Sequence, residues 1–199
     1  MSQSLKPFRL TWRRRLTPWL LVSAGWASVL ATGAHAAEPA ALQSIERLDL
    51  PRYLGTWYEV AKFPNRFQKQ CVADTRADYQ SNPDGTVRVV NQCRLADGRV
   101  DKAMGQARQI GPADSPRLQV RFAPAWLSFI PAVWGDYWVI DLDEAYQLAA
   151  VSEPRREYLW VLSRTPSVPA PVYEALLKRL AAQGLEVGRL ERSPQGAAP

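Results

Sequence analysis

Gly55-Thr56-Trp57-Tyr58-Glu59-Val60-Ala61 and, far downstream, Tyr158-Leu159-Trp160-Val161-Leu162-Ser163-Arg164-Thr165 are the stretches that decide the fold. Both are rich in β-branched and aromatic residues and read as strands. The first opens a strand at Gly55, and the second carries Arg164 at its end. A Trp at the base of a β-barrel needs cover over its exposed face. A guanidinium from the last long strand supplies it by cation–π stacking, worth about 0.5–2 kcal/mol. The pairing predicts a barrel sealed at one end by Trp57 under Arg164, with Gly55, Trp57 and Arg164 in structural roles.

Working outward, short alternating runs separated by turn signals predict an all-β meander. The runs are 55–63, 73–81, 86–93, 99–108, 117–122, 136–142, 146–151 and 157–165. Asn82-Pro83-Asp84-Gly85 and Asp97-Gly98 are turns between them. The period then changes. Residues 171–183 place Val172, Leu176, Leu177 and Leu180 at helical spacing, with Pro171 in the first turn and Gly184 at the stop. Residues 185–190 read as a short ninth strand and 41–48 as a helical turn. Eight strands suit an antiparallel up-and-down barrel with the C-terminal helix packed outside. An immunoglobulin-like sandwich is the rival, weakened by the late helix and the positions of the two cysteines.

Residues 1–36 read as a cleaved signal peptide. They carry Lys6, Arg9, Arg13, Arg14 and Arg15, then an apolar stretch from Trp19 to Ala31, then Ala34-His35-Ala36 as a small-x-small cleavage site. The apolar stretch is short for a membrane anchor and is followed by Thr32 and Gly33. Arg13-Arg14-Arg15-Leu16 leaves twin-arginine export open beside the general route. No Cys lies near the cleavage site, which argues against a lipid-anchored lipoprotein. Of 25 Lys and Arg, five leave with this segment, so 20 face 19 acidic residues and the net charge falls from +6 to +1. The basic pI therefore belongs to the signal and gives no support to nucleic-acid binding. The only histidine, His35, leaves too. That excludes His-based acid–base chemistry, Ser–His and Cys–His nucleophiles, and imidazole ligands for metal or haem. No cofactor or metal site is expected, and the destination is the periplasm, in reach of the outer membrane.

Four segments, in order and at compatible spacing, resemble the lipocalin family, with most likeness to its bacterial and apolipoprotein D-like members. They are residues 55–61, Asn82-Pro83-Asp84-Gly85-Thr86-Val87, Gly135-Asp136-Tyr137-Trp138-Val139, and residues 158–165. The family's second motif is kept only in Asp143 and Tyr146. The resemblance implies a lipocalin domain over residues 37–192 and loops 64–72, 94–98, 123–135 and 152–156 at the open mouth, while the composition of 193–199 reads as a disordered tail. It places Cys71 and Cys93 near each other there, which in an exported protein implies a disulfide. A reactive thiol or a metal pair is the alternative.

With Trp57 and Arg164 inward, alternation places Glu59, Ala61 and Phe63 in the lining, and also Tyr158, Trp160 and Leu162. Thr75, Ala77, Tyr79, Val87, Val89, Asn91, Leu118, Val120 and Phe122 form the matching faces of other strands. Asn91, Tyr79 and Tyr158 are expected to orient a head group. Glu59 is expected to pair with a nearby Tyr or Arg, since burying it alone is costly. The mouth segment from Pro124 to Trp134 holds Trp126, Leu127, Phe129, Ile130 and Trp134 and no charge. It suits a lid, a membrane-surface contact or a homodimer contact. Three functions follow. The first is an exported, non-enzymatic carrier of a fatty acid, lysophospholipid or similar small hydrophobic ligand, in envelope lipid maintenance or stress. The second is an enzyme on an apolar substrate, using Glu59 with a Tyr. The third is a dimeric interaction protein with a vestigial cavity. The carrier is the reading these residues support best.

Overall fold

The structure, a computed structural model, describes residues 40–196; the expected signal peptide and residues 197–199 lie outside the described residues. Eight antiparallel strands close into a barrel, β1 (Gly55–Lys62), β2 (Ala73–Ser81), β3 (Val87–Arg94), β4 (Val100–Gln109), β5 (Arg117–Arg121), β6 (Gly135–Leu142), β7 (Leu148–Ser152) and β8 (Leu159–Ser163). Each strand pairs with the next, and β1 pairs with both β2 and β8. A short ninth strand, β9 (Glu191–Arg192), lies against Ala61 and Lys62 of β1. A one-turn helix, α1 (Leu50–Tyr53), leads into β1, and α2 (Ala170–Ala182) follows β8. Among the described residues no helix is long and apolar enough to cross a membrane.

Two cores result from the alternation. An inner core fills the lower barrel with Trp57, Ala77, Tyr79, Val87, Val89, Leu118, Val139, Val151 and Leu162. An outer core lies between the wall and α2, where Leu176 and Leu180 are fully buried against Val60, Ile140, Ala150 and Val161. Val172, expected in this stripe, is exposed, and Tyr173 packs there instead. Arg179 clamps the helix to β6 through two hydrogen bonds to Asp141, at 2.7 and 2.8 Å.

Two bulges couple these cores. The register shifts between Glu59 and Ala61 on β1 and between Val139 and Asp141 on β6. An extra residue in one strand reverses which face every later side chain occupies. Val60 and Ile140 are those extra residues, and both feed the outer core.

Three local expectations are corrected. The helical turn is at 50–53, not 41–48, because Asp49 accepts from the Arg52 amide and so caps it there. Residues 41–48 instead form no regular element, with Leu42 and Leu48 buried and the Ile45 and Leu48 amides donating to the Val139 and Asp114 carbonyls. Strand β7 begins at Leu148 because Asp143 accepts from the Ala145, Gln147 and Leu148 amides, holding 143–147 as a turn with Tyr146 at φ 59°. The tail is not free over 193–196. It lies in the gap where β1 and β2 diverge: the Ser193 amide donates to the Val60 carbonyl, and the Asp74 amide to that of Pro194. Gln195 donates to the Glu59 and Thr75 carbonyls, at 2.7 and 2.9 Å. These bonds satisfy backbone groups that the divergence would leave unpaired.

Candidate ligand-binding site

The closed end is built around Trp57, which is fully buried and donates its indole N–H to the Tyr53 carbonyl at 2.8 Å. The Arg164 guanidinium lies 3.9 Å from the Trp57 ring centroid. It also donates to the carbonyls of Thr56, Arg52 and Leu54, each at 2.8 Å, and to Tyr146 at 3.3 Å. Gly55 makes room: its φ of +94° suits glycine, and a Cβ there would sit 3.3 Å from an Arg164 nitrogen. Above the Trp, the Tyr137 hydroxyl bonds those of Tyr53 and Tyr79 at 2.8 and 3.0 Å. Burial raises all three phenols, Tyr79 to about 12, so the cluster is neutral at physiological pH. Tyr79 therefore already has its hydroxyl engaged inside the core, and it is not a free head-group contact.

Higher up, the interior changes character. Asn91 on β3 lies between Ala77 on β2 and Ala103 on β4 in the ladder. Its side-chain carbonyl oxygen is buried without a hydrogen-bond partner. Such an acceptor is costly unless something donates to it. Ala103, on the same face, is exposed, so the interior is open at this level. Thr75 is buried nearby on β2. Tyr158 and Trp160 stack at 5.7 Å, and Phe67 of the mouth loop lies 5.6 Å from Tyr158. These rings form one wall of the upper barrel.

Ala61 and Phe63 are not in this lining. The bulge at Val60 turns both outward, and they are buried in the outer core. Lys62 takes the inward phase opposite Trp160. Val87, Val89 and Leu118 belong to the inner core and Val120 packs against it, so they floor the site more than they line open space. Phe122 follows the end of β5 and is 43% exposed, with its ring over Gly105.

Glu59 is 3% exposed and pairs with neither a Tyr nor an Arg. It accepts from Gln68 at 2.6 Å and from the Ser193 hydroxyl. The Gln68 carbonyl accepts in turn from the Trp160 indole at 3.0 Å and from Asn65 at 2.8 Å. Gln68 thus fastens the mouth loop to the barrel interior. Burial raises the Glu59 carboxyl above its ordinary value, with the Ser193 and Gln68 hydrogen bonds working the other way. A raised folded-state pKa penalises the charged form. The penalty is absent below the unfolded value near 4.5, grows as pH rises to the folded value, and is constant above it. The stability difference between Glu59→Gln and the wild type should therefore move toward the variant as pH rises from 4.5 and then level off. Urea unfolding of both proteins across that range measures it; a difference independent of pH would overturn this account.

Cys71 and Cys93 form the disulfide, with Cα atoms 5.5 Å apart, joining the mouth loop to the end of β3. Beside it runs a groove of about 390 Å³ lined by Lys62, Pro64, Asn65, Arg66, Gln68, Lys69, Cys71 and Glu191. Three cations face one carboxylate there, and the Glu191 carboxylate is 3.5 Å from the Lys62 ammonium. The segment 124–134 forms two short 3₁₀ turns. Trp126 is 72% and Phe129 78% exposed, whereas Leu127, Ile130 and Trp134 are half-buried. The Trp134 indole donates to the Ser128 carbonyl at 2.8 Å, and its ring stacks with Arg108 and Arg121 on the outer wall.

Sequence reasoning missed Phe67, Gln68, Lys62, Ala103 and Gly105. Alternation of small residues at Ala103, Gly105 and Ala107 was a usable signal for the β4 inner face. Gln68 had none, because a loop has no period.

A profile described as a Lipocalin-like domain matches residues 48–195. Temperature-induced lipocalin-1 of Arabidopsis thaliana is 39% identical over 160 residues, covering 79% of this chain and 85% of that protein. Outer membrane lipoprotein Blc of Escherichia coli K12 is 34% identical over 177 residues, covering 88% and 94%. Apolipoprotein D of Macaca fascicularis is 30% identical over 161 residues, covering 77% and 80%. Among solved structures, insecticyanin of Manduca sexta superposes with a TM-score of 0.60 at 17% identity, covering 78% of this chain and 85% of that one. At that identity the likeness speaks for the fold alone.

Proposed function

This chain belongs to the lipocalin-like family, and on that premise we propose that it is an exported carrier of a fatty acid, lysophospholipid or similar amphiphile. The observation that carries the reading is the unpartnered Asn91 carbonyl within an open upper barrel walled by Trp160, Tyr158 and Phe67. An acyl chain gains apolar contact with those rings, and a ligand hydroxyl or water satisfies Asn91. The cationic groove of Lys62, Arg66 and Lys69 suits the carboxylate or phosphate of such a ligand at the mouth. We read the chain as a carrier and not an enzyme: the buried Glu59 is held by amide and hydroxyl donors and has no titratable partner in hydrogen-bond contact.

Location follows the relatives. Blc is named an outer membrane lipoprotein, and an envelope site with a role in lipid maintenance fits this chain. In this reading attachment does not use a cysteine, since Cys71 and Cys93 are bonded to each other. The exposed Trp126 and Phe129 supply another route, insertion into the lipid–water boundary, where Trp is at home. Homodimerisation through 124–134 is the competing use, and it predicts a mass that rises with concentration and is abolished by Trp126→Ser.

Native mass spectrometry of the exported protein, before and after delipidation, tests the carrier. A single lipid adduct that rebinds one per chain is expected. Ala103→Trp, which fills the open inner face opposite Asn91, should abolish rebinding without loss of fold. A chain that takes up no such lipid, or an Ala103→Trp variant that still does, would overturn the reading.

A further inference from the structure

Strand β5 ends at Arg121, opposite Gln106, so residues 100–105 of β4 have no β5 partner. The result is a notch of about 350 Å³ in the side wall, lined by Arg88, Met104, Gly105, Gln106, Arg121, Phe122 and residues 123–125. Gly105 lets the end of β5 and the Phe122 ring lie close against β4: a Cβ there would lie 2.6 Å from the Arg121 carbonyl and 2.8 Å from the Phe122 ring. Arg88, Gln106 and Arg121 follow one another across the outer face of three strands.

Arg121 is 5% exposed. Its guanidinium donates to the Ala123 carbonyl at 2.7 Å and to the Gln106 side-chain oxygen at 2.6 Å, and its Nε is buried with no partner. Gln106 is itself fixed by Thr86, at 2.8 Å. Every partner is neutral. Among the described residues no carboxylate forms an ion pair with Arg88, Arg108 or Arg121, and none lines the notch. A buried guanidinium with two nitrogens held by neutral oxygens, its Nε without a partner and no carboxylate paired with it is a site for an anion from outside. Exposed Arg88, whose guanidinium makes a long hydrogen bond to the Met104 sulfur at 3.9 Å, is free to close on the same anion.

The notch gives rise directly to the segment carrying exposed Trp126 and Phe129. We propose that Arg88 and Arg121 form a phosphate-binding site for the head group of an anionic phospholipid in the bilayer on which that segment rests. The bilayer supplies the phosphate while the aromatic rings enter the boundary. This rests on the membrane reading of 124–134 and is independent of which ligand the barrel carries.

Co-sedimentation of the exported chain with vesicles tests it. Phosphatidylcholine vesicles containing phosphatidylglycerol are compared with phosphatidylcholine alone. Arg88→Gln, which removes one charge, and Arg121→Lys, which removes none, are compared with Arg99→Gln, the loss of one charge at the mouth where Arg99 pairs with Asp97. Removing one basic contact at a lipid surface costs about fivefold in affinity. The preference for phosphatidylglycerol should fall by that much or more in Arg88→Gln, and also in Arg121→Lys, which keeps the charge but not the fork. Arg99→Gln should fall less. Equal losses in Arg88→Gln and Arg99→Gln, with none in Arg121→Lys, would reduce the effect to general charge attraction and overturn the proposal. So would saturation by inorganic phosphate with no vesicle preference, which would assign the site to the free anion. If Arg121→Lys fails to fold, exposed Arg88→Gln still decides. Native mass spectrometry of the same preparations separates this outcome from failure of the carrier reading.

Discussion

Arg164→Ala should destabilise the protein by about 3 kcal/mol, from the loss of one cation–π contact and of charge-assisted hydrogen bonds. The side chain ties four segments together at the closed end, through the carbonyls of Arg52, Leu54, Thr56 and Tyr146. It also covers Trp57, whose centroid is 3.9 Å from the guanidinium carbon. Truncation leaves several carbonyls with water as their only replacement partner and opens one face of a fully buried indole. In a domain of this size the melting temperature should fall by about 6–12 °C. Arg164→Lys should recover only a small part, because an ammonium is a point donor that cannot span four carbonyls and stack on a ring at once. Thermal unfolding of the two variants measures this. A lysine variant as stable as the wild type would mean that charge alone, not the fork, holds the base closed.

This end of the molecule was legible in the sequence for a physical reason. Gly55, Trp57 and Arg164 have chemistries that few other environments call for, and the strand period of two carries the reading along each run. The same period misplaced Ala61 and Phe63. A bulge adds a residue without a signal of its own, and beyond Val60 every inference about facing is inverted. Tyr79 failed differently. Its inward direction was readable, but that Tyr137 would engage its hydroxyl depends on register across the barrel. Glu59 needed a partner, yet both partners come from segments without periodicity, Gln68 in a mouth loop and Ser193 in the expected tail. The notch was invisible for a further reason. Arg121 reads as an outward strand residue, and its burial results from where β5 stops and how Trp134 folds back.

Replacing both cysteines, Cys71→Ser with Cys93→Ser, should cost about 3 kcal/mol, the loop-closure entropy of a cross-link with this spacing of 22 residues. Where that cost appears tells what the bond does. If it only restrains the unfolded chain, the variant should fold more slowly and unfold at nearly the wild-type rate. The folded mouth has its own fastenings: the Val72 amide donates to the Arg94 carbonyl at 2.9 Å, and Gln68 remains held by Glu59 and Trp160. Those contacts keep the loop in place without the disulfide, so retention of the proposed ligand should change little. Stopped-flow folding and unfolding rates, measured beside ligand release, separate the two possibilities. Faster unfolding together with faster release would mean that the disulfide braces the folded mouth itself. The cationic groove beside Cys71 would then depend on the oxidised disulfide for its shape as well as for its stability.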